Sequence, residues 1–113
     1  MSTDLGPTIS KINLARSLIK ENLITTPVIP LKSDRWMEVL PRDTNVSVKL
    51  ELFQQAGSFK ARGAYLGIQN LSTEQKKQGV VAASGGNHAL AVSWAAAAAG
   101  VTAKITMPKT TDP

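Results

Sequence analysis

Cysteine is absent from this chain, and histidine occurs once, at His88. The first absence removes disulfides, a thiolate nucleophile and cysteine-ligated zinc. The second removes any zinc site built on several histidines of one chain. A Ser-His-Asp triad would have to use His88, which has no acidic residue close to it in sequence. Aromatics are scarce too: Trp36, Phe53, Phe59, Tyr65 and Trp94 are all five, too few for a platform on which bases stack. No apolar run approaches the roughly 20 residues of a membrane span. The opening Met1-Ser2-Thr3-Asp4-Leu5-Gly6-Pro7 carries no basic residue and no apolar stretch, so it does not read as a secretory signal, and the expected location is cytoplasmic.

What is present is a domain's worth of chain. The 113 residues are 42% apolar and 19% charged, a balance that supports a folded core rather than disorder. The formal net charge is +5, from 13 basic and 8 acidic side chains. The basic residues are scattered, with no run longer than two, so neither nucleic acid nor a membrane is an expected partner.

Periodicity places the elements. Thr8 is a candidate N-cap for a helix to about Leu23, with Ile9, Ile12, Ala15, Ile19 and Leu23 on one stripe. The helix must stop before Thr26-Pro27, and an extended segment over residues 27–31 follows. Residues 32–45 read as loop or short helix, with a turn at Asp43-Thr44-Asn45. Alternation over Val46–Leu52 predicts a strand. A polar loop, Gln54 to Gly57, then leads to a helix that Ser58 caps and that runs to about Asn70. Ser72 and Gln75 have capping-box spacing, and Gly79 closes that short helix.

The last third is the clearest. Val80-Val81-Ala82-Ala83-Ser84 reads as a strand buried on both faces. Gly85-Gly86-Asn87 is a tight turn, a helix follows to Ala99, and Gly100 ends it. Val101 to Met107 is a second strand, stopped by Pro108. One β-α-β unit requires parallel strands, so the fold class is α/β, a parallel sheet with flanking helices. Trp36 and Trp94 read as packing residues, and the alanines at 95–99 as a face for close helix–sheet packing.

Two places can carry chemistry. Ser84-Gly85-Gly86-Asn87-His88 lies where a strand ends and a helix begins, the position at which parallel sheets bind ligands. Free backbone N–H groups and the helix dipole favour an anion there. The turn is neither GxGxxG nor a Walker A loop, and Gly-Gly also serves turn geometry alone. His88 by itself reads as a helix N-terminal residue hydrogen-bonded locally. The second place is Gly57-Ser58-Phe59-Lys60. Lys60 falls in the first turn of a helix, where the dipole opposes its charge and burial would oppose it further. A nucleophilic amine needs that neutral form. A solvated lysine sharing an exposed face with Arg62 is the bland alternative.

Gly57-Ser58-Phe59-Lys60-Ala61-Arg62-Gly63-Ala64 resembles the lysine motif of the fold-type II (tryptophan synthase beta-like) pyridoxal-phosphate enzymes, in the threonine/serine dehydratase branch with its serine racemase relatives. Ser84 to His88 resembles that branch's substrate loop, and Lys49-Leu50-Glu51 and Met107-Pro108 also look like the family. The resemblance runs from the first helix to the last residue.

The resemblance implies the following. Lys60 holds pyridoxal 5'-phosphate covalently and acts as base at the substrate α-carbon. Phe59 lies against the cofactor ring, and Asn87 hydrogen-bonds its ring hydroxyl oxygen. Ser84, Gly85, Gly86, Asn87 and His88 hold the substrate carboxylate. No metal site is implied. The substrate is a β-hydroxy amino acid, L-threonine or L-serine, deaminated to a 2-oxo acid and ammonia. The full-length enzyme is expected to be a homo-oligomer. Residues 1–45 belong to its larger domain, and residues 46–113 open the small domain.

Ala61 stands where cysteine and threonine synthases carry Asp. Gly85 stands where the racemases carry Ser, which disfavours racemisation. Ala56 departs from the Thr that many members carry. A serine racemase-like or other β-eliminating relative is the alternative, and so is a non-catalytic fragment. The chain alone is expected to be inactive.

Overall fold

The computed structural model describes residues 6–32, 35, 38–41 and 43–111. The reading of the first five residues, the packing reading of Trp36 and part of the 32–45 reading lie outside them.

Helix α1 spans Ile9–Ile19, and Thr8 caps it by accepting from the Lys11 backbone N–H at 3.3 Å. It ends four residues short of the predicted Leu23. The chain must be extended by Ile24, because the Gln54 side chain bonds both the N–H and the C=O of that residue. The predicted stripe is buried only at its C-terminal end. Ile19 is 7% exposed and Leu23 packs beside it, whereas Ile9 is 74% and Ile12 48% exposed.

Strand β1, Val28–Pro30, pairs antiparallel with β2, Ser47–Lys49, with Ile29 opposite Val48. The expected strand to Leu52 breaks early. Glu51–Phe53 coils into a 3₁₀ turn, followed by a second over Gln55–Gly57 in which Ala56 is left-handed at φ 58°. The loop predicted for residues 54–57 is therefore a fixed turn. A left-handed alanine costs energy that surrounding contacts must offset.

Helix α2 spans Lys60–Gln69 and α3 spans Thr73–Gln78. The α3 capping box forms as predicted: Ser72 Oγ accepts from the Gln75 N–H at 3.2 Å, and Gln75 Oε1 accepts from the Ser72 N–H at 2.8 Å. Gly79 closes that helix at φ 86°. For α2 the expected Ser58 cap does not form. Phe59 occupies the cap position with no side-chain capping bond. Ser58 is extended, offers its carbonyl to the Ala61 N–H at 3.4 Å, and keeps its Oγ buried and unpartnered.

Strand β3, Val80–Ala83, helix α4, Asn87–Ala98, and strand β4, Ala103–Thr106, form the β-α-β unit. β3 and β4 are parallel, with Val80 opposite Ala103 and Ala83 opposite Thr106. Burial along β3 alternates and Val81 is 79% exposed, which corrects the expectation of a strand buried on both faces. Helix α4 packs against both strands; Val81 points the other way.

The core joins α1, α2, α4 and the start of β4. Ile19, Tyr65, Ile68, Ala95, Ala96 and Val101 form its buried cluster. Ala61, Ala91 and Ala95 are fully buried, so small side chains set the close approach of α2 and α4, a helix–helix contact rather than the helix–sheet contact expected of the alanines. The Tyr65 and Trp94 rings pack at 5.5 Å between centroids. Among the described residues, no helix is long and apolar enough to cross a membrane.

Candidate functional site

The α2–α4 contact positions both candidate motifs. The Gln55–Gly57 turn and α2 each pack on α4. Helix α4 begins at Asn87, and Lys60 is the first residue of α2. Two helix N-termini thus belong to one packed unit, each preceded by a glycine-containing turn.

At the first, Gly57 has φ +67° and open space where a Cβ would stand. Phe59 is 63% exposed and the Lys60 Nζ lies 5.6 Å from its ring centroid. Lys60 is half-buried and, among the described residues, makes no ion pair.

At the second, Ser84 extends the β3–β4 ladder through its N–H to the Thr106 carbonyl at 2.9 Å, and its Oγ accepts from the Gly86 N–H at 3.2 Å. Gly86 caps α4 with no side-chain capping bond; its carbonyl accepts from the Ala89 N–H at 2.8 Å. The amides of the first helical turn, Asn87 and His88, have no helical acceptor behind them, which suits an anion. His88 is exposed and its side chain makes no hydrogen bond among the described residues, so the local side-chain bond expected of it does not form. An open cleft of about 460 Å³ beside this turn is lined by Ala83, Ser84, Gly85, Thr106, Met107 and Pro108. A larger cavity, about 1210 Å³, lies between α1 and α2 and includes neither Lys60 nor the turn.

Sequence reasoning missed the polar anchors behind Lys60. Glu51 accepts two bonds from the Arg62 guanidinium, Nε at 2.8 Å and Nη2 at 2.7 Å, and a third from the Thr26 hydroxyl. Lys49 Nζ stands 3.8 Å from the same carboxylate and donates to the Thr26 carbonyl at 3.1 Å. The Arg62 hydrogen bonds, with those of Thr26 and the charges of Arg62 and Lys49, outweigh desolvation and lower the Glu51 carboxyl to about 2. The same pairing raises Arg62 above its ordinary value. Gln54 is 4% exposed, and its amide accepts from the Ile24 N–H at 3.0 Å and donates to the Ile24 carbonyl at 2.8 Å. The available signal for Glu51 was its place in Lys49-Leu50-Glu51, a stretch that resembles the family. A lone Gln54 carries no such signal, since its partner lies 30 residues away.

A parallel β-α-β unit with a glycine turn between strand and helix defines an α/β protein, a class that binds ligands at the carboxyl ends of its strands. Comparison with known proteins makes this specific. The family profile described as pyridoxal-phosphate dependent enzyme matches residues 19–113. The chain is 42% identical over 113 residues to phenylserine dehydratase of Ralstonia pickettii, covering 100% of this chain and 33% of that protein. It is 53% identical over 64 residues to L-threonine ammonia-lyase of Thermotoga maritima, covering 57% of this chain and 16% of that one. Maize serine racemase superposes with a TM-score of 0.80 at 38% identity, over 92% of this chain and 30% of that chain.

The chain belongs to the pyridoxal-phosphate dependent enzyme family, with the type II fold, and its cofactor is pyridoxal 5'-phosphate. It spans about a third of the length of the relatives it matches end to end.

The residues present fit that group. The Ser58 Oγ is a buried polar atom without a partner, immediately before Phe59 and Lys60. A Cβ built at Gly57 or Gly86 would meet nothing within 4 Å, so both turns present open backbone.

Proposed function

We propose that this chain is the lysine-bearing part of a dehydratase, an ammonia-lyase that converts a β-hydroxy amino acid to a 2-oxo acid and ammonia. The observation that carries this reading is the joining of Lys60 and the Ser84–His88 turn through the packed pair α2 and α4. In the whole protein, residues 1–45 would belong to the larger domain and residues 46–113 would open the smaller one. The assembly would be a homo-oligomer and its place the cytoplasm.

Within this reading Lys60 carries the cofactor and takes the proton from the substrate α-carbon. When bound, the cofactor supplies an electron sink for the carbanion left at that carbon. Phe59 would give its face to the cofactor ring, and Asn87 would hydrogen-bond the ring hydroxyl oxygen. The Gly85, Gly86, Asn87 and His88 region, with Ser84 bracing the turn, receives the substrate carboxylate. The β-hydroxyl departs as water, and hydrolysis releases ammonia. L-threonine would give 2-oxobutanoate; L-serine would give pyruvate.

Serine racemisation is the second reading, supported by the likeness to maize serine racemase. Gly85 weighs against it. A Cβ built there would lie 2.5 Å from the Thr111 Oγ1 and 3.4 Å from the Pro108 Cδ, so a serine side chain does not fit without displacing Thr111.

The test is chemical. Pyridoxal phosphate is added, the adduct is fixed with borohydride, and peptides are mapped by mass. The cofactor mass is expected on Lys60, and label spread evenly over the lysines would overturn the assignment. In the full-length protein with L-serine as substrate, pyruvate supports the dehydratase and D-serine alone supports the racemase.

A further inference from the structure

We propose that Glu51 and Arg62 form a positioning pair for Lys60. The pair reserves the carboxylate for Arg62 and holds the Lys60 amine free on the other side of the helix. This rests on the reading of Lys60 as the cofactor lysine.

The need for such a device follows from the helix start. Helix α2 opens with two cations in its first three residues, Lys60 and Arg62, at the end where the dipole repels positive charge. It has no side-chain cap, because Ser58 does not supply one. Something else must fix the first turn.

Glu51 does so. It engages both Arg62 nitrogens in a fork, the geometry that adds orientation to attraction. Its side chain is 16% exposed, and the Thr26 hydroxyl and Lys49 ammonium complete its partners. Thr26 is itself 3% exposed, so the carboxylate is seated rather than floating. Residues two apart on a helix point away from each other. Drawing Arg62 onto Glu51 therefore turns Lys60 away from the one acidic group that anchors this turn. With Arg62, Thr26 and Lys49 already gathered on that carboxylate, the Lys60 amine is left outside its set of partners.

The experiment compares labelling of Lys60 by limiting pyridoxal phosphate, fixed with borohydride, against Lys77 and Lys104 in the same sample. In the unaltered chain Lys60 is expected to lead. In Glu51→Gln its lead should fall by at least about tenfold, the scale on which misplacing a reacting group is felt, with Lys77 and Lys104 unchanged. Arg62→Lys keeps the charge but not the fork, and should fall in the same direction. Ser72→Ala weakens a remote cap and should leave the ratio intact.

An unchanged ratio in folded Glu51→Gln overturns the pair while leaving Lys60 as the cofactor lysine. If that variant does not fold, an unchanged ratio in Arg62→Lys does the same. An equal fall in Ser72→Ala would assign the effect to general loosening and overturn it too. No preference for Lys60 in the unaltered chain overturns both readings.

Discussion

Three polar residues are buried behind the lysine turn: Thr26 at 3%, Gln54 at 4% and Ser58 at 6% exposure. Thr26 and Gln54 are satisfied by partners 25 and 30 residues away in sequence, so they tie the extended segment after α1 to the turns that precede α2. Glu51 is the charged centre of this network, and it makes stability depend on pH. Its carboxyl titrates near 2 in the fold against an ordinary 4.5. A depressed carboxylate contributes stability that is full above the unfolded value and is lost as pH falls through the folded one. The unfolding free energy is therefore expected to decline between about pH 4.5 and pH 2, by roughly 1–2 kcal/mol after allowance for solvent screening. Urea unfolding at stepped pH checks this, and Glu51→Gln should flatten that part of the curve. Equal slopes for both proteins would remove Glu51 as the cause.

At the scale of elements, glycines with opposite roles give a paired prediction. Gly67 sits on the exposed side of α2 with open space around its missing Cβ. Gly79 closes α3 at φ 86°, and a Cβ there would lie 2.7 Å from the Thr102 carbonyl oxygen, beside the Val80 N–H bond to that same carbonyl at 2.8 Å. Gly67→Ala is expected to stabilise by roughly 0.5–1 kcal/mol through helix propensity. Gly79→Ala should destabilise by more than that gain, since it adds left-handed strain and a backbone clash. Thermal melts of the two variants should move in opposite directions. The sequence carried the elements whose signals are local: the Thr8 cap, the α3 capping box, the glycine stops at Gly79 and Gly100, and the β-α-β unit. It misplaced those set by distant contacts. Gln54 ends α1 early by taking the Ile24 backbone, and Arg62 draws Glu51 out of the expected strand. Both lysine and glycine motifs were legible because they are contiguous; the network that holds them is not.

The whole molecule exposes more surface than its size requires. Its accessible surface is 8817 Å², whereas a compact protein of 12.0 kDa has about 6,000 Å². The radius of gyration, 17.7 Å, exceeds the roughly 13 Å of a compact domain of this length. Part of that surplus is apolar. Ile9, Leu14 and Leu18 on α1 are 74%, 63% and 52% exposed, and Val81 on β3 is 79% exposed. The buried cluster is small and draws on α1 through Ile19, so most of α1's apolar surface adds nothing to the stability of the chain by itself. A direct consequence separates the two ends of the helix. Ile9→Gln with Leu14→Gln should leave the unfolding free energy within about 0.5 kcal/mol, as surface changes do. The same pair should reduce binding of a hydrophobic dye such as anilinonaphthalene sulfonate. Ile19→Ala should cost about 2–5 kcal/mol, because it empties a packed site. If Ile9→Gln/Leu14→Gln destabilises as much as Ile19→Ala, the outer face of α1 is packed in solution and the division of the helix drawn from its exposure is wrong.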